Sequence, residues 1–296
     1  MQIAPIGLTI PQVTHHRMAV NGTQLHVVAA GAGGSPILLV HGFPESWWAF
    51  HTLIPLLAQQ HRVFAVDLRG FGDSNVAGAD DTSATVAEDL HSLVGQIGLG
   101  PVHLVVQDIS GTAGFRLAST HPEDVISFTA IETGIAGHGI EMLADVGKGG
   151  AWYIGALATP GVPEAFLKGR ARELFANFIF RFATAAPDAV KPADLTEFAR
   201  GYEHEGGWSG SRALYGSMLR EGDEIKALAA SKPFTVPTLV IDRAESDFTF
   251  QSINPIHAGE VRRVSIQGAG HYIALEKPTD LAAALLGFVA DVDAGQ

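Results

Sequence analysis

The sequence predicts an α/β protein: a mostly parallel central sheet flanked by helices, with a helical cap inserted between two parts of that sheet. Two observations carry this. Short apolar runs alternate with helical patterns through residue 132 and again from residue 231. Between them, residues 133–230 read as helical, with glycine- and proline-marked joints and no clear strand. Alternating strands and helices build a parallel sheet covered on both faces. A helical block inside that rhythm reads as a cap, which commonly walls an active site. The core is therefore expected at 1–132 and 231–296, the cap at 133–230.

The elements follow in order. Residues 17–20 and 24–29 read as a hairpin around Asn21-Gly22, a pair suited to the positive φ angles of a tight turn. Gly31–Gly34 follows as a turn; it lacks the spacing of a dinucleotide site. The apolar run 37–40 stops at His41-Gly42-Phe43-Pro44, and 49–60 reads as a helix. A strand is expected at 62–68, a loop at 69–74, a solvated acidic turn at 78–81 and a helix at 82–97. Strands at 102–107 and 125–131 flank a helix at 110–120. After the cap come strands at 236–241 and 261–266 and a closing helix at 278–291.

Composition narrows the function classes. With 296 residues and 47% hydrophobic content, the chain can bury a large core. A formal charge of −12 disfavours nucleic acid and anionic membranes as partners. The absence of cysteine removes disulfides, thiolate nucleophiles and thiolate metal sites. Neither a signal-peptide pattern nor an apolar run of membrane-spanning length is read, so a cytoplasmic protein is expected. His15, His16 and His204 lack metal-ligand spacing; neither metal nor cofactor is expected. The choice between monomer and homodimer stays open.

The chemistry concentrates at His103–Gly114, where an apolar strand runs into an apolar helix with almost no loop. Asp108 stands at the joint, between Val106-Gln107 and Ile109-Ser110-Gly111. A sharp strand-to-helix turn lifts its middle residue out of the sheet and needs small neighbours where the two backbones crowd. The helix N-terminus favours a negative charge there. By itself the segment allows Asp108 to be either a nucleophile or a helix cap.

Four motifs in order, HGFPESWW at 41–48, DLRGFGDS at 67–74, the aspartate elbow at 106–111 and GAGHYIALEKP at 268–278, resemble the α/β-hydrolase superfamily, and within it the epoxide hydrolase and dehalogenase branch. The resemblance spans nearly the whole chain. It departs at the elbow, where epoxide hydrolases usually carry Gly-His-Asp-Trp-Gly-Gly: here Val106, Gln107, Ile109 and Ser110 replace the first Gly, the His, the Trp and the next Gly.

The resemblance implies that Asp108 attacks carbon to form an alkyl-enzyme ester and that His271 activates the water that hydrolyses it. The acid behind His271 is Glu132, which leaves a buried strand directly, or Asp247, which lies in a polar loop. Backbone N–H groups of Phe43 and Ile109 match the family's oxyanion hole. Tyr215 and Tyr153 match the cap tyrosines that hold an epoxide oxygen, with Trp152 as an adjacent donor and Trp48 as a pocket wall. The expected function is epoxide hydrolysis to a vicinal diol, with a small-molecule epoxide as partner. Bulky cap aromatics, Trp152, Phe166, Phe175 and Trp208, suggest an aromatic or polycyclic secondary metabolite. Two alternatives stand. A dehalogenase would use the same Asp and His, but Ile109 and Thr112 supply neither the Trp nor the Arg pair those enzymes use. A binding protein that keeps the fold without activity is the other.

Overall fold

In the computed structural model, which describes residues 1–79, 81–186 and 188–295, nine strands form one sheet among those residues. They are β1 (Gln2–Ile3), β2 (Val13–Val20), β3 (Thr23–Ala30), β4 (Pro36–Val40), β5 (Arg62–Val66), β6 (Val102–Gln107), β7 (Val125–Ile131), β8 (Thr238–Arg243) and β9 (Val261–Ile266). Their spatial order is β1-β2-β3-β5-β4-β6-β7-β8-β9. The first pairings, through β3 to β5, are antiparallel; from β5 to β9 the sheet is parallel. Strands β4 and β6 are buried along their whole length, as strands covered on both faces should be. Strand order reverses around β4, which lies between β5 and β6. Ligand sites of open α/β sheets form beyond the carboxyl ends of strands at such a switch point. His41-Gly42-Phe43-Pro44 leaves β4 there, and Asp108 leaves β6 beside it.

Several expected boundaries move. The first hairpin turns at Asn21-Gly22, but β2 starts at Val13, opposite Ala30; its alternating polar residues hid the early half. The short edge strand β1 carried no sequence signal. The expected helix 49–60 is instead a 3-10 turn, Trp47–Phe50, and a short helix, Ile54–Leu57, which Pro55 can join only near its start. The strand expected at 62–68 ends at Val66 because Asp67 turns inward, accepting from the backbone N–H groups of Trp47 at 2.6 Å and Asp73 at 2.9 Å. Strand β8 starts two residues late, after Pro237. In the acidic turn Asp80 lies outside the described residues, and Asp81 pairs with Arg69 at 2.9 Å rather than facing water alone.

Between β7 and β8 the described residues form helices and no strand, the last helix being Gly222–Ser231. Polar contacts tie this segment to the helices and loops that flank the sheet. Ser209 Oγ accepts from Ala77 N–H at 2.9 Å and Ser217 Oγ from Ser83 N–H at 2.8 Å. Arg116 holds Glu221 at 3.1 Å and Glu224 at 2.8 Å. Among the described residues no helix is long and apolar enough to cross a membrane.

Candidate active site

Asp108 occupies the elbow with φ 51°, a left-handed conformation rare for a residue with a side chain. The turn is held from both sides. Gln107 N–H donates to Ser110 Oγ at 3.0 Å, Ser110 Oγ donates to Gln107 O at 2.7 Å, and the Thr133 hydroxyl donates to Asp108 O. Glycines make room. A Cβ on Gly42 would lie 2.4 Å from Asp108 Cβ, and one on Gly111 would lie 2.1 Å from Thr133 Oγ1. Val106 is accommodated by Gly114, whose missing Cβ would stand 2.5 Å from Val106 Cγ1.

The Asp108 carboxylate has two differently placed oxygens. Oδ2 accepts the Phe43 N–H at 2.7 Å, and Oδ1 lies 3.3 Å from His271 Nε2. On its other side His271 Nδ1 is 3.5 Å from Glu132 Oε2. The histidine loop is fixed by the helical segment: His271 N–H donates to Ala183 O at 2.6 Å, and a Cβ on Gly270 would stand 2.3 Å from that same oxygen. Glu132 leaves β7 with φ 42°, which turns its carboxylate back to the site. Its Oε1 accepts from Arg243 N–H and its Oε2 from Arg243 Nη1, both at 2.7 Å. Of the two acids the sequence left open, Glu132 therefore stands against His271. Asp247 does not; it is exposed at the start of the helix Phe248–Ile253, and its Oδ2 accepts from Gln251 Nε2 at 3.1 Å.

Burial alone would lower the basicity of His271. Hydrogen bonding and opposite charge from Asp108 and Glu132 outweigh it and raise its pKa to about 10, so the resting histidine is an imidazolium at neutral pH. Burial would raise the pKa of Glu132, but bonds to His271 and Arg243 outweigh it and hold the group below its ordinary value. Tyr153 and Tyr215 are pushed upward by burial and then by the charge of Asp108, so both stay protonated as donors.

A cavity of about 670 Å³ opens over Asp108 and His271. Tyr153 and Tyr215 line it together, with ring centroids 6.3 Å apart. Ile109 lines it too. Phe43 contributes its backbone, while its ring packs below Tyr153 and Tyr215 at 6.1 and 5.4 Å. Two expected wall residues are elsewhere. Trp48 is buried away from the cavity, its Nε1 bound to Asp194 at 2.8 Å and its ring stacked on His51. Trp152 is 48% exposed and turns to Phe178, outside the lining. Phe166 is exposed, and Phe175 and Trp208 are buried off the lining, so the cap aromatics that suggested an aromatic substrate do not reach the site. The apolar wall is instead built by Ile140, Leu143, Ile154, Phe182, Met218 and Phe248.

Sequence reading missed Glu45 and Arg243. Glu45 is buried and accepts from Gln107 Nε2 at 2.9 Å. Burial first, and then the Asp108 charge, raise its pKa to about 8. A carboxylate immediately after HGFP, with an uncharged residue before the nucleophile, was the available signal. Arg243 was read only as loop polarity, although it ends a strand that runs beside β7. Two groups among the described residues could gather metal-ligating atoms, His26 with Asp67 and Asp73, and His91 with His121 and Asp124; neither lines the cavity.

Residues 35–278 match the α/β hydrolase fold family. The chain belongs to that family. This α/β hydrolase is similar to a soluble epoxide hydrolase of Corynebacterium sp. (strain C12), at 29% identity over 295 residues that cover 94% of this chain and 98% of the relative. It is 26% identical over 275 residues to a fluoroacetate dehalogenase of Burkholderia sp., covering 90% of each. Among solved structures, that of the epoxide hydrolase CorEH without ligand has a TM-score of 0.84 at 24% identity, covering 95% of this chain and 100% of the other, a likeness of fold.

Proposed function

We propose that this α/β hydrolase adds water to epoxides through an ester on Asp108. The observation that carries the reading is the pairing, across one cavity, of Asp108 and His271 with two phenols, Tyr153 and Tyr215. In the first step Asp108 Oδ1 attacks a ring carbon. The carbon–oxygen bond breaks, and the freed oxygen takes a proton from a tyrosine. Esterification removes the Asp108 charge, and with it the largest support for protonated His271. The imidazolium passes its proton to the phenolate left by the first step and can then serve as base. It accepts a proton from water as the water oxygen attacks the ester carbonyl carbon. The oxyanion forms on Oδ2, where the Phe43 N–H already points, with the Ile109 N–H as second donor. Collapse expels the alkoxide, which takes the proton of the new carboxyl group, so the diol leaves and the Asp108 carboxylate stands again beside imidazolium His271.

The similarity to a soluble epoxide hydrolase supports this reading. The similarity to a fluoroacetate dehalogenase does not favour the alternative, because Ile109 and Thr112 offer no charged clamp and Trp152 turns away from the cavity. The apolar wall and a volume of about 670 Å³ suit an apolar epoxide of small to medium size.

The test is turnover of an epoxide panel by wild type and His271→Gln, with mass spectrometry of the Asp108 peptide. An adduct accumulating in His271→Gln is expected, together with diol from the wild type. No adduct and no diol across the panel overturns the proposal.

A further inference from the structure

Glu132 Oε2 serves two cations. It lies 3.5 Å from His271 Nδ1 and 2.7 Å from Arg243 Nη1, while Oε1 is held by the Arg243 backbone N–H at 2.7 Å. The carboxylate is 4% exposed, so the ion pair with Arg243 is only weakly screened on the acid's side. Arg243 itself lines the cavity, with a side chain 40% exposed. One residue thus holds the acid at both oxygens, one through its backbone N–H and one through its guanidinium. A carboxylate whose only task was to fix the histidine ring would need no second cation on the oxygen that faces it.

We propose that Arg243 is a positioning residue that shares the charge of Glu132 with His271, so that the histidine is released as a neutral base once Asp108 is esterified. This rests on the ester mechanism proposed above. Two carboxylates hold the proton on resting His271. Esterification removes one. The full charge of Glu132 behind Nδ1 would hold the proton on His271 to higher pH and narrow the range in which it can accept a proton from water. The Arg243 guanidinium offsets that charge at the shared oxygen. Other charged groups near the histidine do not substitute for it. Glu45 adds negative potential from below the elbow only when ionised, Glu276 accepts from Gly270 N–H at 3.0 Å within the histidine loop, and Glu245 lines the cavity near Arg243. Asp242, beside Glu132, is itself paired with Arg263 at 3.3 Å. The phenols Tyr153, Tyr215 and Tyr272 are uncharged in the resting site. Among the described residues, Arg243 is the cation besides His271 that stands within ion-pair distance of Glu132.

The experiment measures hydrolysis of the pre-formed ester in single turnover as a function of pH, in wild type, Arg243→Gln and Arg243→Lys. Quantitative mass spectrometry of the Asp108 peptide follows the adduct. In Arg243→Gln the acid limb of ester hydrolysis should move up by about one pH unit, since removing the cation on the far side of Glu132 strengthens the anion behind the base. Arg243→Lys should restore most of the wild-type profile. A lower rate with an unmoved limb in Arg243→Gln would reduce Arg243 to a structural brace and overturn the inference. Absence of any adduct in His271→Gln, run alongside, would instead remove the ester mechanism, so the two failures are distinct.

Discussion

His271 Nε2 stands 3.3 Å from Asp108 Oδ1, the oxygen that carries no backbone donor, while Oδ2 is occupied by Phe43 N–H at 2.7 Å. Under the proposed ester mechanism the division gives the two oxygens different fates: Oδ1 is free to attack, and Oδ2 becomes the ester carbonyl facing the Phe43 N–H. It also couples the protonation of His271 to the charge of Asp108. Asp108→Asn imitates the ester by removing that charge at nearly constant shape. NMR titration of His271 should therefore give a pKa well below the wild-type value of about 10. An unchanged titration would refute the coupling.

In the proposed mechanism the two phenols, in edge contact with ring centroids 6.3 Å apart, share one role, so neither should be indispensable. Tyr153→Phe or Tyr215→Phe is expected to slow ester formation by about 10- to 100-fold, and the double variant by at least about a thousandfold, within the range of general acid catalysis. Ester hydrolysis should change little. Rapid-quench measurement of adduct formation separates the two steps, and a double variant with a normal burst would remove the tyrosines from the chemistry.

Glu132→Gln and Asp247→Asn should behave oppositely. Glu132→Gln removes the charge behind His271 and leaves Arg243 without a partner, so ester hydrolysis should fall by about a hundredfold or more and the fold should lose stability. Asp247→Asn changes an exposed helix-start residue and should leave turnover within about twofold. Turnover and adduct lifetime in both variants settle the assignment; a persistent adduct in Asp247→Asn alone would reverse it.

How far the site was legible depended on what each residue's neighbours impose. Asp108 and His271 could be read because a strand-to-helix joint and a glycine-flanked turn leave local marks. The apolar runs of β4 and β6 likewise announced the sheet centre. Glu132 and Asp247 both follow strands, and nothing local tells that one carries φ 42° and turns inward while the other opens a helix. Trp152 and Tyr153 are consecutive in the helix Trp152–Ala158, where successive side chains diverge by about 100°, so one faces the cavity and the other cannot. The pairing of Arg243 with Glu132 joins the ends of β8 and β7, 111 positions apart in sequence, and becomes visible only once those strands are paired.

Glu45 supplies a prediction about stability rather than rate. It is 1% exposed, and its carboxyl titrates near 8 in the folded chain against 4.5 for the ordinary group. Between those values the folded state holds a proton that the unfolded state has lost. Stability from this group is therefore complete below about pH 4.5 and declines as pH rises through 8. Glu45→Gln keeps the shape, stays neutral and can still accept from Gln107 Nε2. Its melting temperature should be close to wild type near pH 5 and higher at pH 8 to 9, by several degrees if about 1 kcal/mol or more is recovered. Parallel melting curves from pH 5 to 9 provide the check. A constant gap between the two proteins across that range would mean that Glu45 is already ionised in the folded state.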